Sequence, residues 1–437
     1  MCFQSRKKGL LTGFVKPDVQ NKHFGGTHAA LFFTLTHKFN KKPATYGTDL
    51  LSIPPTKSVK FRGNPITRRN PRSSGYCPVF NNPPQAQKQS AMFAKTPHLS
   101  LILLVVTFLS IVYSFNVSAQ TSQSTPSVFD YLTPQEGADI SLELDLTELI
   151  NNKKTNQYFP GSLSAGDGKM FGVEVRPRGK SRRRICDVPP LKLKFRKKEL
   201  RAAGLDTLNE IKLVVPCFND PESEALVMRE YIAYRMFERI NPAYSVRARL
   251  VKITFRDKHI EQTKAPVYGL LVEHEEQVAA RLDGDIVEYF NLPADSIHTG
   301  QAALNAMFQY MIGNTDWGLS DIRNVYYLKP HDGSKIRVVP FDFDFSGLVN
   351  APYAIPNSRT GLKNVRDRQL LADEIPNAAL LQAAQILKNT QNTLLELCQA
   401  SFLPEKSRGD MESYIKKFFE ALGDKGKIPQ RIKADLR

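Results

Sequence analysis

The residues between Ile312 and Gly347 limit what this chain can fold into more than any other stretch. They run Ile-Gly-Asn-Thr-Asp-Trp-Gly-Leu-Ser-Asp-Ile-Arg-Asn-Val-Tyr-Tyr-Leu-Lys-Pro, turn at Asp332-Gly333, and return as Lys-Ile-Arg-Val-Val-Pro-Phe-Asp-Phe-Asp-Phe-Ser-Gly. That is a polar loop carrying Asp316 and Asn324, a hairpin of two apolar runs, and an acidic pair, Asp342 and Asp344. Asp and Asn are poor strand formers, so acids ending an apolar strand need a local reason. Oxygen ligands on either side of a tight hairpin can converge on one hard cation, Mg²⁺ or Mn²⁺, which leaves positions open for phosphates. Phosphotransfer needs little more: metal on the phosphates, an Asp to take a hydroxyl proton, and a Lys on the phosphate oxygens. Taken alone, Asp342-Phe-Asp344 reads more simply as a pair of turn residues capping a strand.

The 437 residues allow two or three domains, or one two-lobed domain with a leader. The formal charge of +17 is unevenly spread. Residues 1–91 hold 15 basic and 2 acidic residues, and the remainder is only +4. The high pI therefore comes from the leader and gives no argument for a nucleic-acid partner. Residues 92–119 read as a secretory signal peptide: Met92, Lys95, an apolar run from Leu99 to Val112, and Val117-Ser118-Ala119 before Gln120. The apolar run is short for a membrane span, which takes about 20 residues. We expect cleavage, export to a secreted or periplasmic location, and no stable span. A signal peptide belongs at an N-terminus, so Met92 is expected to be the true start; a basic transit peptide over residues 1–91 is the alternative. Cys186, Cys217 and Cys398 remain after cleavage, too few for a disulfide framework, with one pair, such as Cys186 with Cys217, left open.

Residues 120–139 are rich in Ser, Thr, Gln and Pro and read as a linker. Ile140, Leu142, Leu144 and Leu146 alternate with polar residues and predict a strand, followed by a polar turn region around Gly161 and Gly166-Asp-Gly. Met170–Arg176 is a second strand. It runs into Arg178-Gly-Lys-Ser-Arg-Arg-Arg, either a solvated basic turn or a loop facing phosphates. Leu191-Lys-Leu-Lys-Phe puts Lys192 and Lys194 on one strand face, where solvent exposure is the plainer reading. A strand over Ile211–Val215 leads into a helix from Pro221 to Ile240, with Asp220 as its cap and an apolar stripe that leaves Glu230 off it. Strands over 246–255 and 266–273, a short helix from His274 to Leu282, and a helix over 300–312 follow. His274 has no visible partner and reads as structural or exposed. One helix over 377–401 and another over 405–422 close the chain. Strands first and helices later imply α+β, with a β-rich N-lobe at about 140–275 and a helical C-lobe at about 276–437.

Four segments occur in an order that resembles the spore-coat protein H-type atypical kinases, a secreted branch of the protein-kinase-like superfamily. They are Val173-Glu-Val-Arg-Pro-Arg-Gly-Lys-Ser with Leu191-Lys-Leu-Lys-Phe, Met228-Arg-Glu-Tyr-Ile-Ala-Tyr-Arg-Met-Phe, Gly313-Asn-Thr-Asp with Asn324-Val-Tyr-Tyr-Leu, and Val339-Pro-Phe-Asp-Phe-Asp. The resemblance implies a two-lobed kinase-like fold with ATP and Mg²⁺ or Mn²⁺. It implies that Lys192 or Lys194 holds phosphates, that Glu230 orients that lysine, and that Arg178 lies at the nucleotide loop. Asp316 would be the catalytic base, with Asn324, Asp342 and Asp344 on the metal. Arg178-Gly-Lys departs from a glycine-rich loop. The implied activity is transfer of the ATP γ-phosphate to a hydroxyl on a secreted protein or glycan. A kinase-like binding or surface-assembly module without turnover, and a metal-dependent hydrolase, are the alternatives. The sequence leaves the acceptor and the oligomeric state open.

Overall fold

A computed structural model describes residues 125–259, 265–290, 292–372 and 375–423. The expected basic leader and signal peptide lie outside them. No helix among the described residues is long and apolar enough to cross a membrane.

The first half of the described chain closes a barrel. In order come α1 (Val128–Leu132), β1 (Ala138–Leu144), α2 (Leu146–Asn151), β2 (Phe159–Ala165), β3 (Met170–Pro177), α3 (Arg182–Ile185), β4 (Leu191–Phe195), α4 (Lys197–Ala202), β5 (Glu210–Val214), α5 (Pro221–Ile240), β6 (Ala248–Asp257) and β7 (Val267–Glu273). The strands lie in the order β1-β2-β3-β4-β5-β7-β6, and β6 returns parallel to β1. Alternation fills the inside: Leu142, Leu163, Val173, Val175, Leu191, Leu193, Ile211, Leu213 and Ile253 are all fully buried. Each such side chain contributes about 1.5–3 kcal/mol by leaving water.

Three expectations change here. Leu146 does not extend β1; Asp145 accepts from the Glu148 amide at 2.7 Å and starts α2 instead. The stretch read as a linker contains α1, whose Val128, Phe129 and Leu132 pack into the barrel core. The stretch read as turn contains β2, which holds Pro160, Gly161 and two serines and is fixed by pairing with β1 and β3 rather than by its own propensity.

The second half packs α5 against helices and a small sheet. It adds α6 (Glu275–Arg281), β8 (Gly284–Val287), α7 (Thr299–Ile312), β9 (Val325–Pro330), β10 (Arg337–Pro340), α8 (Asn377–Asn389), α9 (Gln391–Leu397) and α10 (Glu405–Leu422), with the sheet ordered β10-β9-β8. The helix expected over 377–401 breaks at Thr390 into α8 and α9. Helix α5 begins where expected: Asp220 accepts from the Ser223 amide at 2.7 Å, and Pro221 takes the first turn. Its middle, Val227 to Tyr234, is buried on every side, because it packs on β6, β7 and α9 together. Gly313 ends α7 in a left-handed conformation, φ +64°, and its carbonyl accepts from the Gly347 amide at 3.0 Å. A Cβ at either glycine would strike the Tyr414 hydroxyl. The two glycines therefore pin both ends of the segment from 313 to 347 against α10.

Candidate active site

Antiparallel pairing of β9 with β10 sets Val325 opposite Pro340 and lets the Phe341 amide donate to the Asn324 carbonyl at 3.0 Å. Asn324 and Asp342 thus flank the open end of the hairpin. Both have left-handed backbones, φ +52° and +63°, which non-glycine residues adopt at a cost of about 1–3 kcal/mol where surrounding structure compels it. The Asn324 amide donates to the Asp316 carboxylate at 3.1 Å and to the Asp316 carbonyl at 2.6 Å. The Asp342 amide donates to the Tyr234 hydroxyl of α5 at 2.8 Å. Three of the expected residues, Asp316, Asn324 and Asp342, therefore sit together.

Burial pushes the Asp316 carboxyl above its ordinary value. The Arg323 guanidinium, 3.6 Å away, pulls it back down, and the Asp342 charge adds to the rise. Arg323 also pairs with Asp321 at 2.8 Å, and Arg359 reaches the same carboxylate at 3.2 Å.

Glu230 and Asp344 do not meet a strand lysine. Both are held by Arg182, from α3: its Nε lies 3.0 Å from Asp344 and its Nη2 lies 3.2 Å from Glu230 and 4.0 Å from Asp342. Burial, and the repulsion of neighbouring carboxylates, raise both Glu230 and Asp344, against the pull of Arg182. Glu230 Oε1 has no hydrogen-bond partner among the described residues. The basic run that read as a solvated turn thus delivers one arginine to the interior. The Cys186–Cys217 disulfide anchors that placement beside the Cys186 amide, which donates to the Arg182 carbonyl at 2.9 Å.

Lys192 and Lys194 lie on β4 and pair with Glu210, at 2.5 and 3.9 Å, away from Glu230. The lysine at the site is Lys212, directly across from Lys192 in the β4–β5 register. Its Nζ lies 2.9 Å from Glu275 and bonds the Tyr326 hydroxyl. It sits over the stacked rings of Tyr326 and Phe341, next to Asp342. Burial lowers it to about 8, and the Arg178 charge adds to that shift. Sequence reasoning read the strand over Ile211–Val215 and passed over its lysine. The available signal was position: Lys212 is the polar residue on the strand that feeds directly into α5. Arg178 directly follows β3, and its amide donates to the Pro190 carbonyl at 2.7 Å. Its charge is felt at Lys212, Glu230 and Tyr326. His274, expected to be structural or exposed, is buried between Glu210 and Glu275 at 3.0 and 3.2 Å, and burial lowers it to about 4, so it is neutral.

Among the described residues no group of three or more His, Cys, Asp and Glu is placed as a metal site. The oxygens of Asp342 and Asn324 do suit Mg²⁺ or Mn²⁺, which take one or two carboxylates and complete their shell with phosphates and water.

No family model and no curated protein matches the chain. Among solved structures it is similar to the Helicobacter pylori proinflammatory kinase CtkA, at 12% identity and a TM-score of 0.31, over 52% of this chain and 90% of that one. A likeness at that level assigns no role to any residue.

Proposed function

We propose that this is a secreted, kinase-like phosphotransferase that moves the γ-phosphate of ATP to a hydroxyl on a protein or glycan with Mg²⁺ or Mn²⁺. The observation that carries the reading is the linkage of Asp316 to Asp342 through Asn324, with the Lys212 charge beside them. Asp316, raised by burial, accepts the acceptor hydroxyl's proton as its oxygen bonds to the γ-phosphorus and the bond to ADP breaks. Lys212 and Arg178 supply positive charge to the phosphates. Lys212 takes the phosphate role first assigned to Lys192 or Lys194, and Glu230 helps place Arg182 rather than a lysine. A bound divalent cation, held by Asp342 and Asn324, would neutralise charge on the phosphate oxygens. Tyr326 and Phe341 exclude water from the lysine side of the site.

The test is ATP-dependent phosphate transfer to added protein or glycan acceptors by wild type and Asp316→Ala. Removing a general base costs about 10²–10⁴ in rate. Equal rates in the two proteins would refute the assignment of Asp316. Binding of Mn²⁺ and ATP without turnover in wild type would favour a non-catalytic module.

A further inference from the structure

We propose that Arg182 is a resident cation of the carboxylate cluster, so that the site takes one divalent cation per nucleotide rather than two. This rests on reading the site as one for a metal-bound nucleotide.

Three carboxylates converge: Glu230 from α5, and Asp342 and Asp344 from the segment after β10. One guanidinium lies among them, 3.0 Å from Asp344, 3.2 Å from Glu230 and 4.0 Å from Asp342. The planar fork of arginine suits simultaneous pairing with separate carboxylates, which a lysine would not match. Arg182 is not a surface side chain that has folded inward by chance. Its side chain is 9% exposed, and the Tyr353 ring packs against its guanidinium, 5.9 Å from centroid to carbon. Its backbone is fixed by α3 and by the disulfide one helical turn on.

Occupancy then limits what else can enter. Arg182 takes up Asp344 and Glu230 at 3.0 and 3.2 Å and leaves Asp342 at 4.0 Å. The position left for a cation is Asp342. Its carboxylate is 33% exposed against 8% for Asp344 and 2% for Glu230, and it makes the longest contact with Arg182. Asp344 is engaged by Arg182 at 3.0 Å. A second cation on Asp344 would have to displace the guanidinium from its shortest ion pair. Arg182 is therefore a positioning residue for the one-cation site.

The experiment counts Mn²⁺ bound per protein, by the loss of the free Mn²⁺ paramagnetic signal, in the presence of saturating non-hydrolysable ATP analogue. The full chain is compared with Arg182→Gln and Asp344→Asn. One equivalent in wild type, two in Arg182→Gln and one in Asp344→Asn are expected. Two equivalents in wild type would overturn the proposal and leave the phosphotransferase reading standing. None in wild type would overturn both. The wild-type count is decisive even where Arg182→Gln does not fold. In Asp344→Asn, a fall to zero would make Asp344 a metal ligand and also overturn the proposal.

Discussion

Two buried carboxylates, Glu273 and Glu230, are treated in opposite ways by this fold. Glu273, at the end of β7, is fully buried and saturated with donors. Its oxygens accept from Arg247 Nε at 3.0 Å, the Arg247 amide at 3.1 Å, and Arg281 Nε and Nη2 at 2.9 and 2.7 Å. Arg247 passes its remaining charge to Asp130 at 2.7 Å, and Arg281 donates to the Ser245 carbonyl at 2.6 Å. Two acids face two arginines, and the cluster ties α1, β6, β7 and α6 together. Glu230, on α5, has one donor, one oxygen without a partner among the described residues, and two further acids nearby. The first cluster is complete as it stands. The second is short of hydrogen-bond and ion-pair partners, which agrees with the cation role proposed for it.

The same substitution in the two clusters separates these roles most widely. Glu273→Gln leaves two half-buried arginines without their carboxylate and costs about 3 kcal/mol, at the low end of the range because both guanidiniums retain some solvent contact. Glu230→Gln removes a charge the cluster cannot neutralise and costs less than about 1 kcal/mol, since Arg182 keeps Asp344. The pH dependence sharpens the contrast. Burial raises Glu230 from 4.5 to about 7 in the folded chain. A raised carboxyl favours the folded state at low pH, and that contribution fades as pH climbs from about 4.5 through about 7. Denaturant midpoints at pH 5 and pH 7.5 should therefore differ more for wild type than for Glu230→Gln, and Glu273→Gln should keep the wild-type trend. Equal losses from both substitutions would mean the clusters do not differ in kind.

A comparable effect comes from the covalent tie, which serves the second cluster and not the first. Cys186→Ala with Cys217→Ala opens a loop between residues 31 apart and should cost about 3–4 kcal/mol in denaturant titration. Beyond that loss, α3 is freed to carry Arg182 away from Glu230 and Asp344. Mn²⁺ affinity should then rise or fall together with Arg182→Gln. A double variant whose Mn²⁺ binding matches wild type would show that Glu230 and Asp344 hold Arg182 without the disulfide.

The sequence showed some of this contrast and hid the rest, for reasons of range. Asp316, Asn324 and Asp342 lie within one hairpin, and their convergence follows from local register, so they were legible. Helix α5 was legible from its cap, its proline and its period. Arg182 and Glu230 are 48 residues apart and meet only when the barrel closes, so no local pattern could pair them. The basic run around Arg182 has the composition of a solvated turn, and only its burial says otherwise. Lys192 and Lys194 stood out because they alternate with apolar residues. Lys212, the neighbour of Lys192 across the β4–β5 pair, was one strand away and stood alone between Ile211 and Leu213. Strand β2 was hidden by proline, glycine and serine, and its existence depends on two flanking partners.

The smallest expected effect falls on Lys212, which belongs to neither cluster but borders the second. Burial and the Arg178 charge lower it to about 8 in the free protein. Phosphates bind its protonated form, so binding takes up one proton once pH exceeds that value. Affinity for a non-hydrolysable ATP analogue should hold steady from pH 6.5 to 7.5. Above pH 8 it should weaken by up to tenfold per pH unit, about 1.4 kcal/mol. Lys212→Arg keeps its charge throughout, so its affinity should stay flat from pH 7.5 to 9. Glu275 bears on the same slope: it pairs with Lys212 at 2.9 Å and stays ionised, with a pKa near 2, across this range. Removing its charge in Glu275→Gln lowers Lys212 further and should move the break to lower pH. A wild-type slope that persists in Lys212→Arg would assign the titration to another group and take Lys212 out of the phosphate site.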